Sequence, residues 1–115
     1  VFVGCEVHRP GVAQALMGIE ARGLGDRVKV SRADGLWVLD AYATARSLDE
    51  VACHFPDPWR GESKAHRRLV NPLLFVLLER ALRPGGRLSV ATDDAEYAED
   101  ELRILRDLEY CLVAP

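Results

Sequence analysis

The chain lacks a net positive charge, a metal-type cysteine spacing and a long apolar run, and each absence excludes something. A formal net charge of −3 argues against a generic nucleic-acid binder, which carries an excess of Lys and Arg. The three cysteines, Cys5, Cys53 and Cys111, stand far apart, so neither a zinc-type pattern nor a disulfide framework is implied. Cys5 and Cys53 fall in predicted strands and are expected to be buried free thiols in a reducing cytosol. His8, His54 and His66 share no ligand spacing, and no metal is expected. The longest apolar run, Leu73 to Leu78, is too short to cross a bilayer, so no membrane partner is expected. Repeats, low-complexity segments and internal linkers are also missing.

What is present is an ordinary globular composition, 49% hydrophobic and 29% charged over 115 residues, which suits a single domain with one core. The first residue, Val1, falls inside an apparent strand, and the chain reads as a piece of a longer one. Strands and helices alternate. Val1–Cys5 is an apolar run ending at Glu6. Pro10 opens a helix at a favoured first position, with Val12, Ala15, Leu16 and Ile19 at helical spacing and Gly23 as its stop. A strand over Val28–Ser31 ends near Asp34, and a helix follows over Leu36 to Arg46. Glu50–Phe55 is a third strand. After a loop over residues 60–69, Asn71 and Pro72 are an N-cap and first residue for a helix over 73–82. Pro84-Gly85-Gly86 stops that helix. Arg87–Ala91 is a fourth strand, Asp94 caps a last helix over about 95–108, and Tyr110–Ala114 begins a fifth strand. Such alternation implies an α/β fold with a mostly parallel sheet and helices on both faces.

In open parallel sheets, ligands bind beyond the carboxyl ends of the strands. Here each of the first four strands ends near an acid: Glu6, Asp34, Asp57 and Asp93. One such acid means little, because Asp is a common turn former; four on one edge of one sheet make a pattern. Glu6 is placed to accept from ribose hydroxyls, and Asp34 from an adenine amine. Asp57 and Asp93 lie further along, where a second substrate would sit. The arrangement suits a nucleoside-bearing cofactor with an acceptor molecule beside it. It does not suit a hydrolytic triad, since no Ser or Cys stands at a sharp strand-to-helix turn. A cofactor's glycine-rich loop belongs about 20 residues ahead of the ribose acid, and only five residues precede Glu6.

The stretch His54-Phe55-Pro56-Asp57-Pro58-Trp59 concentrates the chemistry. Proline fixes its own φ and biases the preceding residue toward extended geometry, so the segment reads as a stiff extended turn holding one carboxylate and one ring. A basic loop follows directly: Arg60, Lys64, Arg67 and Arg68 stand against Glu62 alone, with His66 in addition. That loop suggests a phosphate-bearing partner. Residues 93–109 are the reverse, with eight acids against Arg103 and Arg106. This acidic helix reads as a solvated face turned away from any polyanion.

Three segments carry a resemblance. Gly4-Cys5-Glu6-Val7-His8-Arg9-Pro10-Gly11-Val12, Phe55-Pro56-Asp57-Pro58-Trp59 with Arg67-Arg68 beyond it, and Ala91-Thr92-Asp93 resemble, in order, the signature segments of the tRNA (guanine-N7)-methyltransferases. The resemblance implies a Rossmann-like class I methyltransferase core that uses S-adenosylmethionine to methylate N7 of a variable-loop guanosine in tRNA. It implies Glu6, Asp34 and Asp57 as cofactor-binding acids. Asp57 and Asp93 are the implied catalytic pair, with Asp93 contacting substrate together with Trp59, Lys64, Arg67 and Arg68. Trp59 is read either as a stacking platform or as packing under the loop. The sequence departs from the pattern twice. The family commonly has Lys two residues past the tryptophan, where Gly61 stands, and His five past it, where Lys64 stands.

In the family's strand order the first strand lies between those represented here by Val1–Cys5 and Glu50–Phe55. That strand and the glycine-rich loop are not in this chain. The expectation is therefore a sheet without its centre, and a chain that by itself neither binds cofactor well nor turns over. Two other readings stay open: an amino-group methyltransferase acting on another nucleic acid or a protein, and a non-catalytic RNA-binding remnant or subunit.

Overall fold

The structure, a computed structural model, describes residues 1–108. The expected strand at Tyr110–Ala114, and Cys111, lie outside the described residues. The chain forms two compact units, Val1–Ala43 and a second beginning at Thr44. Both are α/β with parallel strands.

The first unit runs β1 (Phe2–Cys5), α1 (Arg9–Ala21), β2 (Val28–Ser31) and α2 (Gly35–Tyr42). β1 and β2 pair in parallel from Phe2↔Val28 to Cys5↔Ser31. Pro10 sits in the first two positions of α1, where its missing N–H costs nothing, and the helix ends before Gly23 as its spacing predicts. α2 is capped by Asp34, whose Oδ1 accepts from the Leu36 and Trp37 amides at 2.8 and 3.3 Å. It stops at Tyr42, four residues short of the expected Arg46, because Ala43 is extended (φ −74°, ψ 116°) and Arg46 has φ 55°. No residue of Val1–Ala43 is buried. Cys5 is therefore exposed, not buried as its strand position suggested.

The second unit contains β3 (Leu48–His54), α3 (Glu62–Ala65), α4 (Pro72–Ala81), β4 (Leu82–Ala91) and α5 (Ala95–Asp107). β3 and β4 pair in parallel. The first pair is Leu48↔Leu82; the register then jumps to Glu50↔Arg87 and runs on to His54↔Ala91. Arg83 to Gly86 on β4 stand against Asp49 alone on β3, so the Pro84-Gly85-Gly86 turn interrupts β4 instead of preceding it. α4 follows its Asn71 cap, whose Oδ1 accepts from the Leu74 amide at 3.1 Å. Its apolar face, Leu74, Phe75, Leu77, Leu78 and Ala81, is buried at helical spacing. With Cys53, Val70 and Tyr97 it makes the core. The fully buried Tyr97 ring is tied by its hydroxyl oxygen, which accepts from the Val70 amide at 3.0 Å. Cys53 is buried as expected, and burial, then the nearby Glu101 carboxylate, pushes its thiol up to about 11.

The strand order is that expected of a sheet without its centre, and it divides the edge along which the four acids were counted. The four strands make two separate two-stranded sheets, β1–β2 and β3–β4. The four acids accordingly fall into two pairs, one per sheet, where a single continuous edge was expected.

Candidate functional site

Parallel pairing decides which acids come together. Glu6 follows β1, and its amide donates to Ser31 O at 3.1 Å at the end of β2. Asp34 lies three residues past Ser31. Both acids therefore emerge at the carboxyl edge of β1–β2. Glu6 Oε1 accepts from the His8 amide at 2.8 Å, which fixes its side chain over the start of α1. Gly11 leaves the room: a Cβ there would lie 3.2 Å from Glu6 Cγ. Asp34 uses only Oδ1 for its cap, and a carboxylate has a second oxygen. Capping and ligand binding are thus compatible at this position.

The second pair is placed in the same manner. His54 and Ala91 are partners at the ends of β3 and β4, and the Phe55 amide donates to Ala91 O at 2.7 Å. Asp57 and Asp93 follow within three residues of those ends, and both are exposed. Capping of α5 belongs to the neighbouring Asp94, which is 6% exposed. Asp94 Oδ1 accepts from the Tyr97 amide at 2.9 Å and Oδ2 from Arg60 Nε at 2.6 Å. Those two bonds, the Tyr97 amide first, hold its carboxyl below the usual aspartate range. Asp93 carries no cap.

The turn that bears Asp57 is not the extended segment its prolines predict. Phe55 has φ 50° and Trp59 φ 42°; with Arg46 they are the non-glycine residues at positive φ among those described. Each such residue costs on the order of 1–3 kcal/mol and persists only where its surroundings over-determine it. Phe55 is left with its ring 67% exposed. Trp59 is half-buried, with the Arg67 guanidinium 5.1 Å from its ring centroid.

The basic loop contains the short helix α3, which the sequence pattern does not reveal. Within that loop the cations divide. Lys64, His66 and Arg67 are exposed. Arg68 is 4% exposed. Its Nε donates to Pro58 O at 2.7 Å, its Nη2 to Glu96 Oε1 at 2.7 Å and its Nη1 to Asp100 Oδ2. Its guanidinium also lies 5.3 Å from the Tyr97 ring centroid. The acidic helix is consequently no plain solvated face: Asp94, Glu96 and Asp100 of its N-terminal half are partners of the basic loop.

Similarity to known proteins decides the family. Residues 1–112 match a family model described as "Putative methyltransferase". The chain belongs to that methyltransferase family. It is similar to proteins named tRNA (guanine-N(7)-)-methyltransferase: 44% identical to that of Cupriavidus metallidurans, 42% to that of Xanthomonas oryzae and 40% to that of Alcanivorax borkumensis. Each match runs over 104 residues, 90% of this chain, but over only 39%, 41% and 43% of the respective relatives. The chain thus spans about two fifths of the length of the curated relatives it matches.

The residues that sequence reasoning missed are Glu96, Asp100 and Glu101, together with the pairing of the loop's Arg60 with the cap Asp94. Glu101 is 7% exposed, its Oε1 has no hydrogen-bond partner among the described residues, and burial raises its carboxyl to about 7. The charge segregation between residues 60–68 and 93–109 was the available signal, since complementary blocks of this kind can pair with each other. The family's lysine position is also given a physical meaning. Gly61 has φ 90° and ψ 144°, a region that is essentially glycine-only. This loop is built around a glycine there. Among the described residues no group of three His, Cys, Asp or Glu is placed to hold a metal ion, and no helix is long and apolar enough to cross a membrane.

Proposed function

We propose that this chain carries the acid-bearing strand ends of an S-adenosylmethionine-dependent enzyme that methylates N7 of a variable-loop guanosine in tRNA. The observation that carries the proposal is the parallel register, His54↔Ala91, which brings Asp57 and Asp93 out at one carboxyl edge in a chain of this family. The residues fit the nucleoside part of the cofactor. Glu6 is oriented by the His8 amide and by the space at Gly11, and Asp34 keeps one oxygen outside its cap. Both are acceptors, as ribose hydroxyls and an adenine amine require. Asp57 is the third such acceptor. When bound, S-adenosylmethionine supplies the methyl group, carried on a sulfonium.

Guanine N7 has a lone pair and no proton, so the residues need not include a general base. Their work is alignment and charge. Asp93, exposed and free of the capping role, accepts hydrogen bonds from the guanine Watson–Crick edge and stabilises the positive charge that grows on the purine. Lys64 and Arg67 meet phosphate. Trp59, whose ring already carries the Arg67 guanidinium, presents a cation and a π-surface together beside Asp57.

The test is a chimera in which this chain replaces the matching segment of the Cupriavidus metallidurans protein, incubated with tRNA and cofactor, and the product nucleosides identified by mass spectrometry. 7-Methylguanosine is expected. An N-methyl-amino nucleoside instead would transfer the assignment to amino-group chemistry. Tight tRNA binding with no methylation would leave an RNA-binding role alone.

A further inference from the structure

Arg68 stands in the basic loop and counts, by sequence, among the cations that would meet RNA. Its surroundings point elsewhere. It is 4% exposed, and all three ends of its guanidinium fork are occupied from within the chain: Pro58 O on one side, Glu96 and Asp100 of α5 on the other. A planar fork with five N–H donors in fixed geometry can bridge three acceptors; a lysine ammonium on a flexible stem cannot reproduce that shape. The acceptor at Pro58 is the informative one. It is the carbonyl immediately after Asp57, inside a turn whose flanking residues Phe55 and Trp59 both hold positive φ. Such a turn needs outside bonds to persist, and two arginines supply them to the same helix. Arg60 reaches Asp94 at the N-cap of α5, and Arg68 reaches Glu96 and Asp100 one turn further along. The Arg60 pair is exposed on its arginine side, whereas Arg68 is itself buried and meets two carboxylates, of which Asp100 is the more shielded.

We infer that Arg68 is a positioning residue: it pins the carbonyl after Asp57 to α5 and so sets where Asp57 and Trp59 stand, while RNA is met by Lys64 and Arg67. This rests on the proposed methyltransferase reading for its link to catalysis but not for its link to the turn, and the two are measured separately. On this chain itself, amide exchange is compared in wild type, Arg68→Lys and Arg68→Ala. Exchange over Phe55–Arg60 is expected to quicken at least tenfold in both variants with the amides of α4 unchanged. A merely destabilised protein would quicken both regions together. Affinity for tRNA is then measured against salt. Arg67→Ala is expected to reduce the slope of log K against log [salt] by about 1, the loss of one phosphate contact, and Arg68→Lys to leave it unchanged.

In the chimera, Arg68→Lys is expected to lower kcat roughly 10- to 100-fold, the cost of misplaced groups, with little change in KM for tRNA. Glu96→Gln with Asp100→Asn is expected to lower kcat likewise without weakening tRNA binding. Full activity of Arg68→Lys together with unaltered exchange at Phe55–Arg60 would overturn the inference, as would a salt slope reduced by Arg68→Ala with α4 still protected. If the unsubstituted chimera does not methylate tRNA, the function proposal fails, and the exchange and salt measurements still decide the role of Arg68.

Discussion

Val1–Ala43 and the unit that begins at Thr44 present the same device at their edges, a pair of parallel strands each running out into an acid, yet they are held together differently. The first has no buried residue. Its order comes from one strand pair, two helices and local bonds, such as Glu6 to the His8 amide and Asp34 to its cap. Phe2, Val3, Leu16, Met17, Trp37 and Tyr42 are all exposed. The second buries an aromatic and aliphatic cluster around Phe75, Leu78 and Tyr97 and adds a shielded arginine with two carboxylate partners. A strand-end acid therefore needs only local geometry to be oriented, whereas a strained turn such as Phe55–Trp59 needs a core and long-range ties. Two of the acids proposed to hold cofactor, Glu6 and Asp34, belong to the first framework, and the turn with Asp57, proposed for both cofactor and catalysis, belongs to the second.

The largest effects should separate the two units by packing. Phe75→Ala is expected to cost about 3–5 kcal/mol, as for other fully buried aromatics. Met17→Ala, at an exposed position, should stay within about 0.5 kcal/mol. Urea midpoints at a common m-value measure both. Equal costs would mean that the first unit is packed as tightly as the second. Next in size is Gly61→Lys, which restores the family's usual residue. A lysine at φ 90° carries a strain of about 1–3 kcal/mol, so the substitution should lower the thermal midpoint and not raise tRNA affinity. A stabilised, tighter-binding variant would show that the turn is not built around glycine. Caps come third. Asn71→Ala and Asp34→Ala each remove an oxygen that accepts from helix amides, at about 0.5–2 kcal/mol. The Asn71 loss should register in the cooperative unfolding of the second unit. The Asp34 loss should register in exchange of the Leu36 and Trp37 amides.

Much of this architecture is legible in the amino-acid sequence. Asn71-Pro72 and Asp94 are caps because their side chains and positions leave few other uses, and both helices begin where those residues place them. Val28–Ser31 is a strand at the expected bounds. Glu6, Asp34, Asp57 and Asp93 follow strand ends because each interrupts an apolar run with a turn-forming acid. Three things are not legible there. Preference for extended geometry before proline is local, and the bond that the Phe55 amide donates to Ala91 O accompanies its loss at Phe55, while the positive φ of Trp59, which precedes no proline, has no sequence signal. Division of the sheet is not written in the periodicity either, and only the strand order implied by the family resemblance led to it. Arg67 and Arg68 are adjacent identical residues, and only the path of α3 makes one exposed and the other buried.

The smallest expected effect uses the buried acid that the second unit has and the first lacks. Glu101, on α5, is shielded beside Cys53 of β3, Tyr97 of its own helix and the Arg68 guanidinium. Burial raises its carboxyl from 4.5 to about 7, against the smaller opposing pull of Arg68. The proton is thus held more tightly in the folded chain than in the unfolded one. Between those two values the unfolded state binds fewer protons, so stability declines as pH rises. The contribution is fully present below 4.5 and is lost as pH passes through about 7. Asp94 does not confuse this window. Its carboxyl is lowered from an ordinary 3.8, so it is ionised in both states above about pH 5. Urea midpoints of wild type should therefore fall between about pH 5 and pH 8 by more than those of Glu101→Gln, in which the group cannot ionise. Parallel curves for the two proteins would show that Glu101 reaches solvent, and the contrast between a shielded second unit and an open first one would then rest on its apolar core alone.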